Sequence, residues 1–173
     1  RVPLMQNDFV IVGPNADPAR IKTSKSATEA FEKIAKTSLF VSRGDESGTH
    51  NAEQRIWEKS TLNSSHFSPK NYVVTGSGMG RTLGIAVEKL AYVLTDKATW
   101  LSYKNKGLQS ILYENDPYFQ NIYSVIPINP VLFNHISQER QQIFMDWIKS
   151  NSAKELIQNF QISSENPFIP LIP

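Results

Sequence analysis

The residues best suited to chemistry lie close together, in residues 42–49, where the sequence reads SRGDESGT. Arg43 supplies a planar guanidinium that can make two parallel hydrogen bonds to an oxyanion. Ser47 and Thr49 add hydroxyl donors, and Gly48, which has no side chain, lets an oxygen approach the backbone closely. A cation and several donors in one short stretch predict a site for a small anion.

The same stretch allows two other interpretations. Ser47, with His50 and Asp45 nearby, could form a nucleophile, but residues this close around a helix start rarely reach triad geometry, because base and nucleophile must converge across space. The stretch could also be a plain strand-to-helix turn with a surface ion pair. We interpret Asp45 as the residue that pairs with Arg43 and holds its guanidinium in place, and Glu46 as facing water.

Predicted secondary structure on both sides would position these residues. Residues 39–42 read as a buried strand, and a helix capped by Thr49 is predicted to run to about Lys59. A helix start offers unpaired backbone N–H groups and the positive end of its dipole. In an open α/β sheet, ligands bind beyond the carboxyl ends of the strands. This placement favours the anion-binding interpretation.

A second glycine-rich loop, Gly76-Ser77-Gly78-Met79-Gly80, also follows a predicted strand, residues 72–75, and precedes a predicted helix. It lacks the Lys-Ser/Thr ending of a P-loop and the glycine spacing of a dinucleotide fingerprint. It either presents N–H groups to the same crevice or forms a tight turn that lets the helix pack. Ser42, Gly78 and Met79 complete the set of candidate ligands.

Strands and helices alternate through most of the chain, which predicts an α/β sheet with helices on its faces. Further strands are predicted at residues 8–13, 91–95, 108–113 and 122–128. Helices are predicted from the capping box Ser26-x-x-Glu29, around residues 83–90, over residues 97–106, from Ser137 with Ile143, Phe144, Trp147 and Ile148 on its apolar face, and from the capping box Ser152-x-x-Glu155. The three tryptophans, Trp57, Trp100 and Trp147, are expected to pack in the core or at a hinge.

Composition excludes several classes of function. The 173 residues carry a net charge of only +2 and their basic residues are scattered, which argues against nucleic acid as a partner. The absence of cysteine excludes disulfides, thiol catalysis and cysteine-based metal sites. His66 and His135 lie in polar contexts, so no metal site is expected. The sequence has no apolar run of about 18 residues that could span a membrane.

The pattern Arg43-x-Asp45-x-Ser47-Gly48-Thr49 resembles the oxyanion loop of type II periplasmic binding proteins, including phosphate-binding proteins. The longer string NDFVIVGP…FVSRGDESGTH…GSGMGRTLGIAVEKLAYVLTD…YSVIPINP is more similar to the tungstate-binding proteins of ABC importers, the TupA-like family. The match runs from Asn7 to the end of the chain and is most specific at residues 39–50. The resemblance implies that tetrahedral tungstate or molybdate is held by Arg43, Ser47, Gly48 and Thr49.

The resemblance also implies a type II periplasmic-binding-protein fold, in which two α/β lobes close around a hinge. Residues 1–119 would form the anion-binding second lobe, with a hinge strand at its start. Residues 120–173 would form the return hinge strand and the C-terminal helices of the first lobe. The family's N-terminal Thr/Ser-rich loop and its strands are not found in this sequence. We therefore expect a missing N-terminal segment of the same protein as a partner, and helices at residues 137–160 that lack their sheet.

These implications describe a non-enzymatic solute-binding protein that captures tungstate or molybdate without a cofactor and delivers it to an ABC permease. Its expected location is periplasmic, or extracellular and membrane-associated. Tungstate and molybdate are fully deprotonated near neutral pH and need only donors, whereas monohydrogen phosphate is best held with an acceptor. A phosphate-binding protein therefore stays open if Asp45 faces the ligand. An anion-sensing regulatory domain of the same fold, and an enzyme that uses Ser47, also stay open.

Overall fold

A computed structural model of the chain describes residues 1–61, 70–133 and 135–172. The chain divides into two compact units, one formed by Asp8–Gln120 and the other by Arg1–Asn7 together with Asn121–Pro173. His66, for which no metal role was expected, and most of the polar segment between the second helix and the third strand lie outside the described residues.

A mixed sheet with the strand order β3–β2–β4–β1–β5 forms the centre of the larger unit. Its strands are β1 (Val2–Pro14), β2 (Phe40–Ser42), β3 (Tyr72–Val74), β4 (Tyr92–Asp96) and β5 (Gln109–Tyr113). Strand β2 runs parallel to β3 and β4, whereas β1 runs antiparallel to β4 and β5. The predicted α/β fold is confirmed, and β1 extends well beyond the predicted strand 8–13.

Helices cover both faces of this sheet. Phe9 and Ile11 of β1 belong to a buried cluster with helices α1 (Ala27–Thr37) and α2 (Gly48–Lys59). Val10 and Val12 belong to a second buried cluster with α3 (Met79–Glu88) and α4 (Lys97–Ser102). Successive side chains of a strand point to opposite faces. The continuous apolar run of β1 is therefore what a strand covered on both sides requires.

The starts of the helices confirm one sequence prediction and correct another. Ser26 caps α1 as predicted, and its hydroxyl accepts the N–H of Glu29 at 3.2 Å. The predicted Thr49 cap of α2 is wrong, because Ser47 is the N-cap and accepts the N–H of His50 at 3.3 Å. An N-cap needs extended backbone, and Ser47 adopts it, whereas Thr49 is already helical and buried. Helix α4 ends at Ser102, before the predicted residue 106.

The smaller unit combines the first residues of β1 with most of β6 (Gln120–Val125), with β7 (Ile169–Pro170) and with helices α5 (Gln138–Ile148) and α6 (Asn151–Asn159). Strands β6 and β7 both pair with β1, and β7 does so antiparallel. Ser137 caps α5 as predicted, but α6 is capped by Ser150 rather than by the predicted Ser152. Short 3₁₀ turns at Ile21–Thr23 and Pro117–Phe119 complete the described elements.

The apolar side chains of α5 and α6 are mostly exposed. Met145 is the buried residue of α5, and Ala153 is that of α6. Trp147, expected to pack in the core or at a hinge, is 47% exposed, whereas Trp57 and Trp100 are buried. The other exposed apolar residues of these two helices include Ile143, Phe144 and Leu156. No helix among the described residues combines the length and the apolar character needed to cross a membrane.

Candidate functional site

Two loops lie at one edge of the sheet because the strands before them are parallel neighbours. Strands β2 and β3 pair in register from Phe40 opposite Tyr72 to Ser42 opposite Val74, so both strands end at the same edge. Residues 43–47 then lead into α2, and residues 75–78 lead into α3. The two loops singled out from the sequence are therefore brought together, each just before a helix start.

Thr75 joins these two loops. Its N–H donates to the carbonyl of Ser42 at 3.0 Å, and its hydroxyl donates to the carbonyl of Arg43 at 3.3 Å. The same hydroxyl lies 2.8 Å from that of Thr82 in α3 and accepts the N–H of Ser77 at 3.3 Å. Sequence patterns do not single out Thr75, because its partners other than Ser77 lie seven or more residues away along the chain.

Arg43 and Asp45 form the expected pair. Both Nε and Nη2 of Arg43 donate to Oδ2 of Asp45, at 3.1 and 2.5 Å, and the two side chains are 18% and 22% exposed. Oδ1 of Asp45 accepts the N–H of Ser47 at 3.3 Å. Hydrogen bonds from Ser47, and then from Arg43, lower the pKa of Asp45. Asp45 is therefore ionised at neutral pH, with both of its oxygens engaged inside the loop.

Several donors of this loop have no acceptor among the described residues. They are Nη1 of Arg43 and the N–H groups of Gly48 and Thr49. First-turn N–H groups have no intrahelical partner. A Cβ added to Gly48 would meet no heavy atom within 4 Å, so the backbone is open on that side. Free N–H groups at a helix start, in one loop with a cation, suit an anion.

The position of Gly44 depends on its lack of a side chain. Its φ of +58° lies in the left-handed region, which glycine adopts without strain. An added Cβ would lie 2.1 Å from Cγ1 of Val74, at the end of β3. Gly44 therefore allows the loop that contains Arg43 to pass close to the neighbouring strand. Glu46, the other acidic residue of the loop, is exposed, as expected.

The second loop makes a tight turn before α3. Gly76 has a φ of +57°, and Gly78 is the N-cap of α3 without a side chain to cap the helix. A Cβ added to Gly78 or Gly80 would meet nothing within 4 Å. The side chain of Met79 packs in the core with Leu83. Any contact of Met79 with a ligand must therefore come from its backbone N–H.

The structure does not place His50 as a base for Ser47. Nδ1 of His50 accepts the N–H of Glu46 at 3.1 Å, and the hydroxyl of Ser47 accepts the backbone N–H of His50 rather than meeting its imidazole. Nε2 lies 3.2 Å from Nε2 of Gln54. Within residues 1–61, 70–133 and 135–172, no group of three or more His, Asp or Glu residues could hold a metal ion.

A buried carboxylate lies beneath the loop. Glu53 of α2 is 2% exposed. Its Oε2 accepts the hydroxyl of Ser42 at 2.7 Å, and its Oε1 accepts the hydroxyl of Tyr72 and, at 3.3 Å, Nε1 of Trp57. Burial raises the pKa of Glu53. Ser42, a predicted ligand, therefore directs its hydroxyl hydrogen to Glu53. The sequence signal for this residue was a carboxylate on the apolar face of a predicted helix.

Comparisons with known proteins identify the family to which this chain belongs. The sequence profile of the PBP superfamily domain matches residues 1–152. The solved structure of the tungstate-binding protein TupA from Desulfovibrio alaskensis G20 has a TM-score of 0.86 and 37% identity, and the match covers 100% of this chain and 70% of that one. The chain is a TupA-like member of the PBP superfamily. The family and the fold predicted from the sequence are both confirmed.

Other TupA-like proteins show the same relationship. The tungstate ABC transporter structure from Geobacter sulfurreducens has a TM-score of 0.81 and 35% identity, covering 92% of this chain and 67% of that one. The tungstate-binding protein TupA of Peptoclostridium acidaminophilum is 38% identical over 162 residues, which are 91% of this chain and 55% of that protein. The chain spans 50 to 64% of the length of the curated relatives it matches.

Proposed function

We propose that this TupA-like chain belongs to an extracytoplasmic solute-binding protein that captures a tetrahedral oxyanion, tungstate or molybdate, for an ABC permease. The unit Asp8–Gln120 would be the anion-binding lobe, and residues 121–173 with residues 1–7 would belong to the other lobe. The names of the relatives support the proposal, since the similar proteins from Peptoclostridium acidaminophilum and Desulfovibrio alaskensis G20 are both named tungstate-binding proteins.

The observation on which the proposal depends is the set of donors in residues 43–49. Nη1 of Arg43 and the N–H groups of Gly48 and Thr49 have no acceptor in the described parts of the chain. The guanidinium supplies positive charge, and the start of α2 adds the positive end of a helix dipole. Charge and free donors together favour a small anion over a neutral solute.

The state of Asp45 favours an anion that has no proton. Its two oxygens are taken by Arg43 and Ser47, and these hydrogen bonds lower its pKa. Its acceptors are thus directed into the loop, which argues against Asp45 as the acceptor for the hydrogen of monohydrogen phosphate. Tungstate and molybdate, which are fully deprotonated near neutral pH, ask only for donors. A hydroxyl left without an acceptor costs about 1–3 kcal/mol, which disfavours phosphate.

Capture of an oxyanion breaks no bond, so the proposed protein is a binding protein without a cofactor rather than an enzyme. The geometry of Ser47 supports this choice. Its hydroxyl accepts the backbone N–H of His50, and the imidazole of His50 accepts from Glu46 instead. Activation of a serine needs a base within hydrogen-bond reach of its hydroxyl. An esterase or phosphatase reaction is therefore not expected.

Parallel calorimetric titrations with tungstate, molybdate, sulfate and phosphate test the proposal. We expect saturable binding of tungstate or molybdate, with phosphate at least about tenfold weaker because its hydroxyl finds no acceptor. Binding of phosphate as tight as that of tungstate would contradict the interpretation of Asp45. Absence of binding to all four anions would contradict the proposed function as a whole, and turnover of a phosphate ester would favour an enzyme instead.

A further inference from the structure

Glu53 is a buried carboxylate whose hydrogen-bond partners are neutral, and the imidazole of His50 acts on it only through space. Ser42 and Tyr72 contribute hydroxyls, Trp57 contributes an indole N–H, and no lysine or arginine of the described residues forms an ion pair with it. Burial of an ionised carboxylate without a cation is costly. Hydrophobic packing of α2 would not need this residue. Its position therefore requires an explanation beyond core packing.

The hydrogen bonds of Glu53 connect the elements that form the anion loop. Ser42 is the last residue of β2 and directly precedes Arg43, whereas Tyr72 is the first residue of β3. Glu53 itself lies in α2, five residues after Gly48. The 2.7 Å bond between Ser42 and Glu53 thus links the strand that leads to the guanidinium with the helix that supplies the free N–H groups.

We propose that Glu53 is a positioning residue for anion binding. It holds the start of α2 against the end of β2, so that the N–H groups of Gly48 and Thr49 and the guanidinium of Arg43 can bind the same anion. This inference rests on the proposed function, because it assigns a role within the same site. An anion is bound more tightly when its several donors are already in place, because ordering them during binding lowers the affinity.

Two substitutions of Glu53 separate positioning from simple packing. In Glu53→Gln the amide oxygen can still accept from Tyr72 and Trp57, and the amide nitrogen can donate to the hydroxyl of Ser42. In Glu53→Ala all of these bonds are lost. Gln109→Ala is the matched control, because Gln109 is 5% exposed, donates to two carbonyls, of Ala86 and Ala91, and lies on β5.

Hydrogen exchange without ligand gives the first measurement. The N–H of Asn51 donates to the carbonyl of Ser47, and the N–H of Thr75 donates to the carbonyl of Ser42. Relative to Gln109→Ala, we expect Glu53→Ala to raise the exchange rates of these two amides at least about tenfold and Glu53→Gln to leave them near the parent values. Equal rates in the Glu53→Ala and Gln109→Ala variants would overturn the inference.

Titration with tungstate, at a temperature below the unfolding transition of each variant, gives the second measurement. We expect Glu53→Ala to raise the Kd at least about tenfold, Glu53→Gln to restore it to within about threefold of the parent, and Gln109→Ala to leave it unchanged. An unchanged Kd in fully folded Glu53→Ala would show that Glu53 only packs the core. If Glu53→Ala does not fold, Tyr72→Phe can replace it, because this variant removes one hydrogen-bond donor to Glu53 without creating a cavity. It should raise the Kd and the exchange rate of the Asn51 amide by a smaller factor. No change in either quantity would overturn the inference.

The two measurements also keep this inference apart from the proposed function. If the parent protein binds none of the four anions, the proposed function fails, and hydrogen exchange still decides whether Glu53 orders the loop. If the parent binds tungstate but exchange and Kd do not respond to Glu53→Ala, the proposed function stands and the inference about Glu53 fails.

Discussion

Substitution of Arg43 by alanine is the most direct test of the anion site. The guanidinium donates twice to Asp45 and keeps Nη1 free of any described acceptor. Its removal takes at least one charge-assisted hydrogen bond from the anion, worth about 1.5–3 kcal/mol. It also leaves the carboxylate of Asp45 without its cation. We expect an affinity loss of at least about 2 kcal/mol, or a rise of about 30-fold in Kd.

The same substitution should have little effect on folding. The side chains of Arg43 and Asp45 are 18% and 22% exposed, and ion pairs that solvent reaches contribute about 0–1 kcal/mol to stability. The free energy of unfolding should therefore fall by no more than about 1 kcal/mol. Calorimetric titration with tungstate measures the affinity, and urea unfolding without ligand measures the stability, so the two effects can be separated.

Two further variants isolate the charge and the geometry of Arg43. Arg43→Lys keeps the positive charge but loses the planar fork that can contact Asp45 and an anion at once, so its Kd should lie between those of the parent and of Arg43→Ala. Adding Asp45→Asn to Arg43→Ala removes the unpaired carboxylate and should recover part of the lost affinity. Parent-like binding by Arg43→Ala would show that the arginine serves only the fold and would refute the argument.

The structure supports two other predictions. Gly44→Ala should lower the free energy of unfolding in urea by about 1–3 kcal/mol, because alanine at a φ of +58° is strained and its Cβ would collide with Val74. The control Gly48→Ala, whose Cβ meets nothing within 4 Å, should stay within about 1 kcal/mol of the parent. An equal loss of stability in both variants would contradict this reasoning. Burial raises the pKa of Glu53 in the folded state, so between the unfolded pKa of 4.5 and the raised pKa the folded state binds more protons than the unfolded state. As pH rises through that window, the free energy of unfolding of the parent should fall relative to that of Glu53→Gln and then stay level. Parallel plots of unfolding free energy against pH from 4 to 8 would contradict this prediction.

The sequence predicts contacts best where the two partners lie close along the chain. The pairing of Arg43 with Asp45 joins residues two positions apart, and the Ser26 cap involves a residue three positions later. Such contacts depend mainly on local backbone geometry and side-chain chemistry. The start of α2 was harder to predict, because Ser47 and Thr49 are both good N-cap residues and the sequence pattern alone does not choose between them.

The exposed apolar residues of α5 illustrate another limit. Periodicity correctly predicted a helix that starts after Ser137, with Phe144 and Trp147 on one side. Periodicity shows which side chains share a face, but it does not supply the surface against which that face packs. Both side chains are about half exposed in the described structure. Burial is a property of the neighbouring elements, which no window of sequence contains.

The sequence by itself determined the chemistry of the candidate site: a guanidinium, a carboxylate that orients it, and N–H groups at a helix start, all within residues 43–49. Only the tertiary structure decided what supports that chemistry. Thr75 joins the two loops, and Glu53 joins α2 to β2 and β3 through Ser42 and Tyr72. Local donors follow from residue type and helix geometry, whereas these contacts form only because two parallel strands end at the same edge of one sheet.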